Sequence, residues 1–162
     1  MKNGGAQFEE ILATQHEAYE AQGRARLHKV SPPCLVFGTP GRQRVVLKEN
    51  PFLDFVGSWT ERGGRSIHVE AKMTATPRIG INNATGIKPD QLVNLQKWEA
   101  SGSAVGVLWF HAGECRLLTL NQIFAARDEG RGSVRWGKAY RLYQTTDLVF
   151  WDYLTALAVI YP

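Results

Sequence analysis

DFVGSWTERGGRSIHVEAKMT, residues 54–74, decides the fold. Two runs with alternating apolar and polar residues, 52–59 (FLDFVGSW) and 65–73 (RSIHVEAKM), flank Glu61-Arg62-Gly63-Gly64. Period-two runs on either side of a glycine-rich break predict a β-hairpin. Side chains alternate faces along a strand, so Ser66, His68, Glu70 and Lys72 share one face, and Ile67, Val69 and Ala71 point the other way, into a core. A turn centred on Arg62 puts Asp54 directly opposite Glu70. Opposed residues have Cβ atoms roughly 4.5–5.5 Å apart. Two carboxylates that close repel unless a cation lies between them. A divalent ion with oxygen ligands satisfies both, and Mg²⁺ or Mn²⁺ suits such a site better than Zn²⁺. Lys72, one step along the same face, reaches a water beside that ion. Such a site can hydrolyse a phosphodiester: the ion polarises the phosphate and acidifies a water, and Lys72 orients that water or offsets transition-state charge. The same spacing also fits a plain cross-strand ion pair of Lys72 with Glu70 or Asp54.

Working outward, residues 34–38 (CLVFG) and 43–48 (QRVVLK) predict two short strands around a Thr-Pro-Gly turn. Before them lies a basic stretch, Arg24, Arg26, His28 and Lys29, that ends at Pro32-Pro33. Residues 6–22 predict a helix, with Phe8, Ile11, Leu12, Gln15 and Tyr19 on one stripe. On the other side, residues 74–88 read as a loop, and a helix runs from Pro89 to Ser101 with Gly102 as its stop. Residues 104–110 (AVGVLWF) read as a central buried strand and 115–120 (CRLLTL) as a further strand. Asn121 caps a short helix over 122–127, residues 128–141 form a basic loop, and 146–160 form an apolar helix packed through Leu148, Trp151, Leu154 and Leu157. The order α-β-β-β-β-α-β-β-α-α predicts an α/β fold, a mixed central β-sheet flanked by helices on both faces.

Composition fits one globular domain over residues 1–162, with 44% hydrophobic and 21% charged residues. No apolar run is long enough to span a bilayer, and MKNGGAQFEE lacks the apolar core of a signal peptide. Cys34 and Cys115 cannot build a disulfide framework, so the expected compartment is reducing, the cytoplasm. The four histidines and two cysteines show no zinc spacing. The formal net charge is +4, and 12 of the 19 basic residues are Arg, which is compatible with nucleic acid. Arg24, Arg26, Lys29, Arg42, Arg44 and Lys48 read either as a surface that tracks DNA phosphates or as scattered solubilising charge. Residues 132–138 read Gly132-x-x-x-x-Gly137-Lys138, a P-loop pattern without its hydroxyl, since Ala139 follows and no apolar strand precedes it. A basic, glycine-rich loop touching DNA phosphates, or a plain solvated loop, fits better, and no nucleotide cofactor is expected. Trp98, Trp109, Trp136 and Trp151 read as core or dimer-interface residues.

The pattern Asp54…Glu70-Ala71-Lys72 resembles the active-site signature of the PD-(D/E)XK nuclease superfamily. Asn3-Gly4-Gly5-x-x-Phe8-Glu9 resembles the first-helix start of Holliday-junction resolvases of the RecU and archaeal resolvase type. His28-Lys29-Val30-Ser31-Pro32-Pro33 resembles the basic-then-proline segment that follows that helix. Asp54-Phe55-Val56-Gly57, Val69-Glu70-Ala71-Lys72-x-Thr74 and Gln91 at the next helix start match further family segments. The resemblance covers residues 3 to about 124. It implies a restriction-endonuclease-like fold and a metal-dependent endonuclease that resolves Holliday junctions by symmetric paired nicks. It implies Asp54, Glu70, Glu9 and the Ala71 carbonyl as metal ligands, Lys72 as the catalytic lysine, and Gln91 as support for the site. It implies Mg²⁺ with Mn²⁺ as substitute, branched DNA as substrate, a homodimer with two sites, and a bacterial, archaeal or phage-infected cell. The chain departs from the pattern where Leu53 precedes the Asp and Asp90 precedes the Gln, and residues 34–51 show no full RecU-type stalk. Two other readings stay open: a restriction or phage DNA-processing nuclease of the same superfamily, and a non-catalytic junction-binding protein. The presence of Asp54, Glu70 and Lys72 together speaks against the last.

Overall fold

The structure is a computed structural model that describes residues 4–31, 33–47 and 53–162. Helix α1, Gly4–Ala21, buries Phe8, Leu12, Gln15, His16, Ala18 and Tyr19. The chain then forms β1 (Arg26–Lys29), β2 (Cys34–Phe37), β3 (Arg44–Leu47), β4 (Phe55–Trp59) and β5 (Arg65–Met73). One 3-10 turn, Thr60–Arg62, joins β4 to β5, and Gly63 and Gly64 close it at φ 66° and 83°, a conformation open chiefly to glycine. There follow β6 (Arg78–Gly80), α2 (Pro89–Ala100), β7 (Ala104–His111), β8 (Glu114–Leu118) and α3 (Leu120–Asp128). The last elements are β9 (Ser133–Arg135), β10 (Tyr140–Arg141) and α4 (Tyr153–Ile160).

Six strands form the main sheet in the order β1-β4-β5-β7-β8-β10. Among the described strands of this sheet only β5 and β7 run parallel, and the chain between them carries β6 and α2 as the crossover. The hairpin register is the one expected: Phe55 pairs with Val69, Val56 with His68 and Gly57 with Ile67. Gly57 lets β1 close on β4, because a Cβ there would stand 1.9 Å from the Arg26 carbonyl oxygen. Odd-numbered residues of β4 and β5 face α1, shown by the edge contact of His16 with Phe55. Even-numbered residues face α2, shown by the stacking of His68 on Trp98. A hydrophobic cluster runs from Phe8 to Tyr161 and includes Ile67, Val69, Val107, Leu108 and Trp109. Each such fully buried aliphatic side chain is worth about 1.5–3 kcal/mol.

Several expectations are corrected. The basic stretch after α1 contains β1, which pairs with β4. The loop at 74–88 contains β6, and the loop at 128–141 contains β9 and β10. β6 and β9 pair with each other in a separate two-stranded ribbon. These strands are only two to four residues long, and long-range pairing holds them, so they leave no periodicity to read. Thr119, not Asn121, caps α3: its hydroxyl accepts from the Gln122 amide and Gln122 Oε1 accepts from the Thr119 amide. The C-terminal helix starts only at Tyr153, capped by Asp152, and Leu148 is exposed. The predicted strand over 52–59 begins at Phe55. Lys48, Pro51 and Phe52 lie outside the described residues.

Candidate active site

β4 ends where β5 continues. Asp54 stands just beyond β4, held by its own carbonyl, which accepts from the Val30 amide at 2.8 Å. Its side chain turns onto the edge of β5 that β4 has left, and Oδ2 accepts the Ala71 N–H at 2.8 Å. In an extended strand a residue's N–H and C=O point to the same edge, so that edge also presents the Ala71 carbonyl. Glu70 lies opposite, almost fully buried. Its carboxyl is close enough to Asp54 for the two charges to interact. Lys72 Nζ is 2.9 Å from Glu70 Oε1.

Burial pushes the Glu70 carboxyl up to about 7, and the neighbouring Asp54 charge adds to the effect. Asp54 is also raised, by burial first and by the charge of Glu9, against the Ala71 amide that favours its ionised form. Both acids are thus held above their ordinary values, and Lys72 is the cation paired with Glu70.

Gln91 closes the site from α2. Its Oε1 accepts the Lys88 amide at 3.0 Å, the N3 side chain reaching back to cap the N-cap N–H. The amide oxygen is thereby assigned, so the NH₂ must face Glu70, and Nε2 donates to Glu70 Oε1. The helix start thus orients the acid. His68 precedes Glu70 on the same face, buried and stacked on Trp98 at 3.8 Å between ring centroids. Burial lowers its pKa to about 4, so it is neutral and packs α2 against the strand that carries Glu70.

Glu9 approaches from the α1 side and pairs with Lys29 on β1. No group of three or more Asp, Glu, His or Cys side chains able to hold a metal occurs among the described residues. Asp54 and Glu70 are the two acids that meet at the end of the hairpin, with the Ala71 backbone beside them. The donor set fits a hard divalent cation, since every candidate donor is oxygen and two acids meet with less than one cation each.

The expected DNA-contact residues divide. Arg24 is turned inward: Nη1 lies 2.9 Å from Asp152 Oδ2, Nε lies 3.2 Å from Glu61 Oε1, and its side chain is 17% exposed. It ties α1 and the hairpin turn to α4. Arg26 is exposed and paired with Glu20 at 3.1 Å. Arg42 and Arg44 lie on the β2–β3 hairpin, which pairs with no other strand among the described residues. Its side chains from Cys34 to Val46 are exposed, including Val36, Phe37 and Val45. Sequence reading missed Asp152 as Arg24's partner; the Asp at the start of an apolar helix was the available signal.

A protein-family model described as RecU, recombination protein U, matches residues 3–146. Among solved structures, Hjc of Archaeoglobus fulgidus, described as a Holliday junction resolvase from an archaeal hyperthermophile, aligns at a TM-score of 0.47 and 14% identity. That alignment covers 74% of this chain and 75% of the other. No curated protein matches the chain.

Proposed function

We infer the function from the premise that this chain belongs to the RecU, recombination protein U, family. It is a Holliday junction resolvase, an endodeoxyribonuclease of restriction-endonuclease-like α/β fold that acts on branched DNA and depends on a divalent metal ion. Mg²⁺ is the ion we propose, with Mn²⁺ as a substitute. Residues 1–162 are read as one nuclease domain, since α4, beyond the family match, packs through Leu154 and Leu157 into the same core. Among the described residues no helix is long and apolar enough to cross a membrane.

The observation that carries the site assignment is half-buried Asp54 beside buried Glu70, with Lys72 Nζ 2.9 Å from Glu70 Oε1. Asp54, Glu70 and the Ala71 carbonyl would hold the ion, and Glu9 adds negative charge beside them. The ion, when bound, polarises the scissile phosphate and acidifies a water. Glu70 would hold the ion as its carboxylate, and the charge of the ion would take over from Lys72 in neutralising it. Lys72 Nζ then donates to the attacking oxygen or to a non-bridging phosphate oxygen, where negative charge grows in the transition state. Gln91 keeps the Glu70 carboxylate from rotating, because its own amide is pinned by Lys88. Arg26, Lys29, Arg42, Arg44 and Lys48 are proposed DNA contacts, whereas the geometry of Arg24 favours a structural role. A homodimer with two sites would cut two strands. The exposed apolar side chains of the β2–β3 hairpin support such an assembly, since a lone two-stranded hairpin with apolar faces needs cover.

The test is cleavage of a labelled four-way junction in Mg²⁺ and in EDTA, with linear duplex and single strand as controls. Mg²⁺-dependent paired nicks in the junction alone are expected. Equal cutting of all three substrates would remove junction selectivity. Tight junction binding without cutting would leave a binding protein.

A further inference from the structure

The glycine-rich basic segment around residues 131–138 has no role in the site above. Its strand β9 pairs with β6 so that Arg78 lies directly opposite Arg135, Ile79 opposite Val134 and Gly80 opposite Ser133. Ile79 and Val134 are buried. The other face of the ribbon, with Arg78 and Arg135, therefore points outward, and both arginines are exposed. Directly opposed like charges destabilise a strand pair. No carboxylate pairs with either arginine among the described residues, although Arg131 and Arg127 beside them each have one, Glu129 at 3.0 Å and Asp128 at 3.7 Å. Two uncompensated guanidinium groups facing each other across a ribbon form a fork suited to one phosphate.

A third donor lies on the same face. The position a Gly80 Cβ would take is 1.7 Å from Asn83 Nδ2, so the Asn83 amide covers Gly80 on the outward side. Asn83 Oδ1 accepts from the Gly86 amide at 2.6 Å and from the Thr85 hydroxyl at 3.3 Å. Its oxygen is thereby assigned, and the NH₂ group is the end left for a ligand.

The ribbon is anchored beside the catalytic lysine. Lys72 pairs with Trp109 across β5 and β7, so both lie on one face of the sheet. The Trp136 ring, which follows β9, stands edge-on to Trp109 at 4.8 Å, and its amide donates to the Pro77 carbonyl at 2.9 Å. Arg78 follows Lys72 by six residues, so their Cα atoms are at most ~22 Å apart, or about six base steps of one DNA strand.

From this placement, and resting on the nuclease reading above, we propose that Arg78, Arg135 and the Asn83 amide form a docking site for one DNA backbone phosphate. That phosphate belongs to the arm being cut, within about half a helical turn of the scissile bond. The site grips the backbone irrespective of sequence and helps set the cut position relative to the branch.

The test measures junction affinity by gel shift or anisotropy over a range of salt, in EDTA, for Arg78→Gln, Arg135→Gln and the double variant. Arg127→Gln serves as a control for lost positive charge. Melting curves check folding, and cleavage at saturating junction checks chemistry. Each single variant should bind about tenfold more weakly, and the double variant should lose less than the product of the two. The slope of log K against log salt should fall by about one, whereas Arg127→Gln should keep the wild-type values. Turnover at saturation should fall by less than affinity does. An unchanged affinity and slope in the double variant, with wild-type protein binding the junction normally, would overturn the docking site alone. A loss of turnover at unchanged affinity would also overturn it. Wild-type protein that neither binds nor cuts branched DNA would remove the nuclease reading, and the docking site with it.

Discussion

Glu70→Gln should remove the chemistry and make the metal-free protein less sensitive to alkali. In the folded protein the Glu70 carboxyl is held at about 7, against an ordinary value of 4.5. The folded value is raised, so the unfolded chain releases this proton first. The stability contribution is complete below about pH 4.5 and is lost as pH climbs to about 7. Linkage over that window gives a loss of roughly 2–3 kcal/mol between pH 5 and pH 8 for the wild type. The Gln variant has nothing to ionise at this position, so it should escape that loss. In a chain of this size the difference corresponds to about 5–10 °C in Tm. The assay is thermal and urea unfolding of both proteins in EDTA at pH 5, 6, 7 and 8. The wild-type curve should fall relative to the variant, and saturating Mg²⁺ at pH 8 should restore stability to the wild type alone. Parallel pH profiles would refute the reasoning, because they would mean that Glu70 is ionised and solvated in the folded protein.

Asp54→Asn should abolish cleavage while junction affinity stays within about twofold; surviving cleavage in Mg²⁺ would remove Asp54 from the ion site. Lys72→Ala should lower turnover by about 10²–10³ with little change in KM, and equal losses in both would make it only a phosphate contact. Gly57→Ala should cost at least about 1–3 kcal/mol in urea unfolding, because its Cβ would collide with the Arg26 carbonyl and separate β1 from β4; an unchanged midpoint would mean that β1 does not close on Gly57. Replacing Arg42 and Arg44 together by Ala should weaken junction binding and lower the salt slope by about one per lost phosphate contact, and an unchanged slope would take the β2–β3 hairpin off the DNA surface.

The candidate site was legible where its residues are joined by local geometry. Asp54, Glu70 and Lys72 lie on one hairpin, whose register follows from a single turn. Strand alternation then puts them on one face without any knowledge of the rest of the chain. Gln91 and Glu9 were legible only through family resemblance, because an isolated residue in a helix's first turns carries no spacing that points across to a strand. The inward turn of Arg24 was illegible for the same reason. Its partner Asp152 lies 128 positions away, and nothing near Arg24 distinguishes an inward arginine from a solvated one.

Sequence alone determined the elements that repeat a period for long enough: α1, the β4–β5 hairpin, α2, β7 and the acidic pair with its lysine. Tertiary structure alone decided what pairing at a distance creates. It made strands of Arg26–Lys29, Arg78–Gly80 and Ser133–Arg135, turned Arg24 inward, set the Gln91 amide on Glu70, and brought Arg78 face to face with Arg135. The physical reason is that hydrophobic period and turn chemistry act between neighbours in the chain. Three-residue strands and ion pairs gain their stability from partners that only the finished fold delivers.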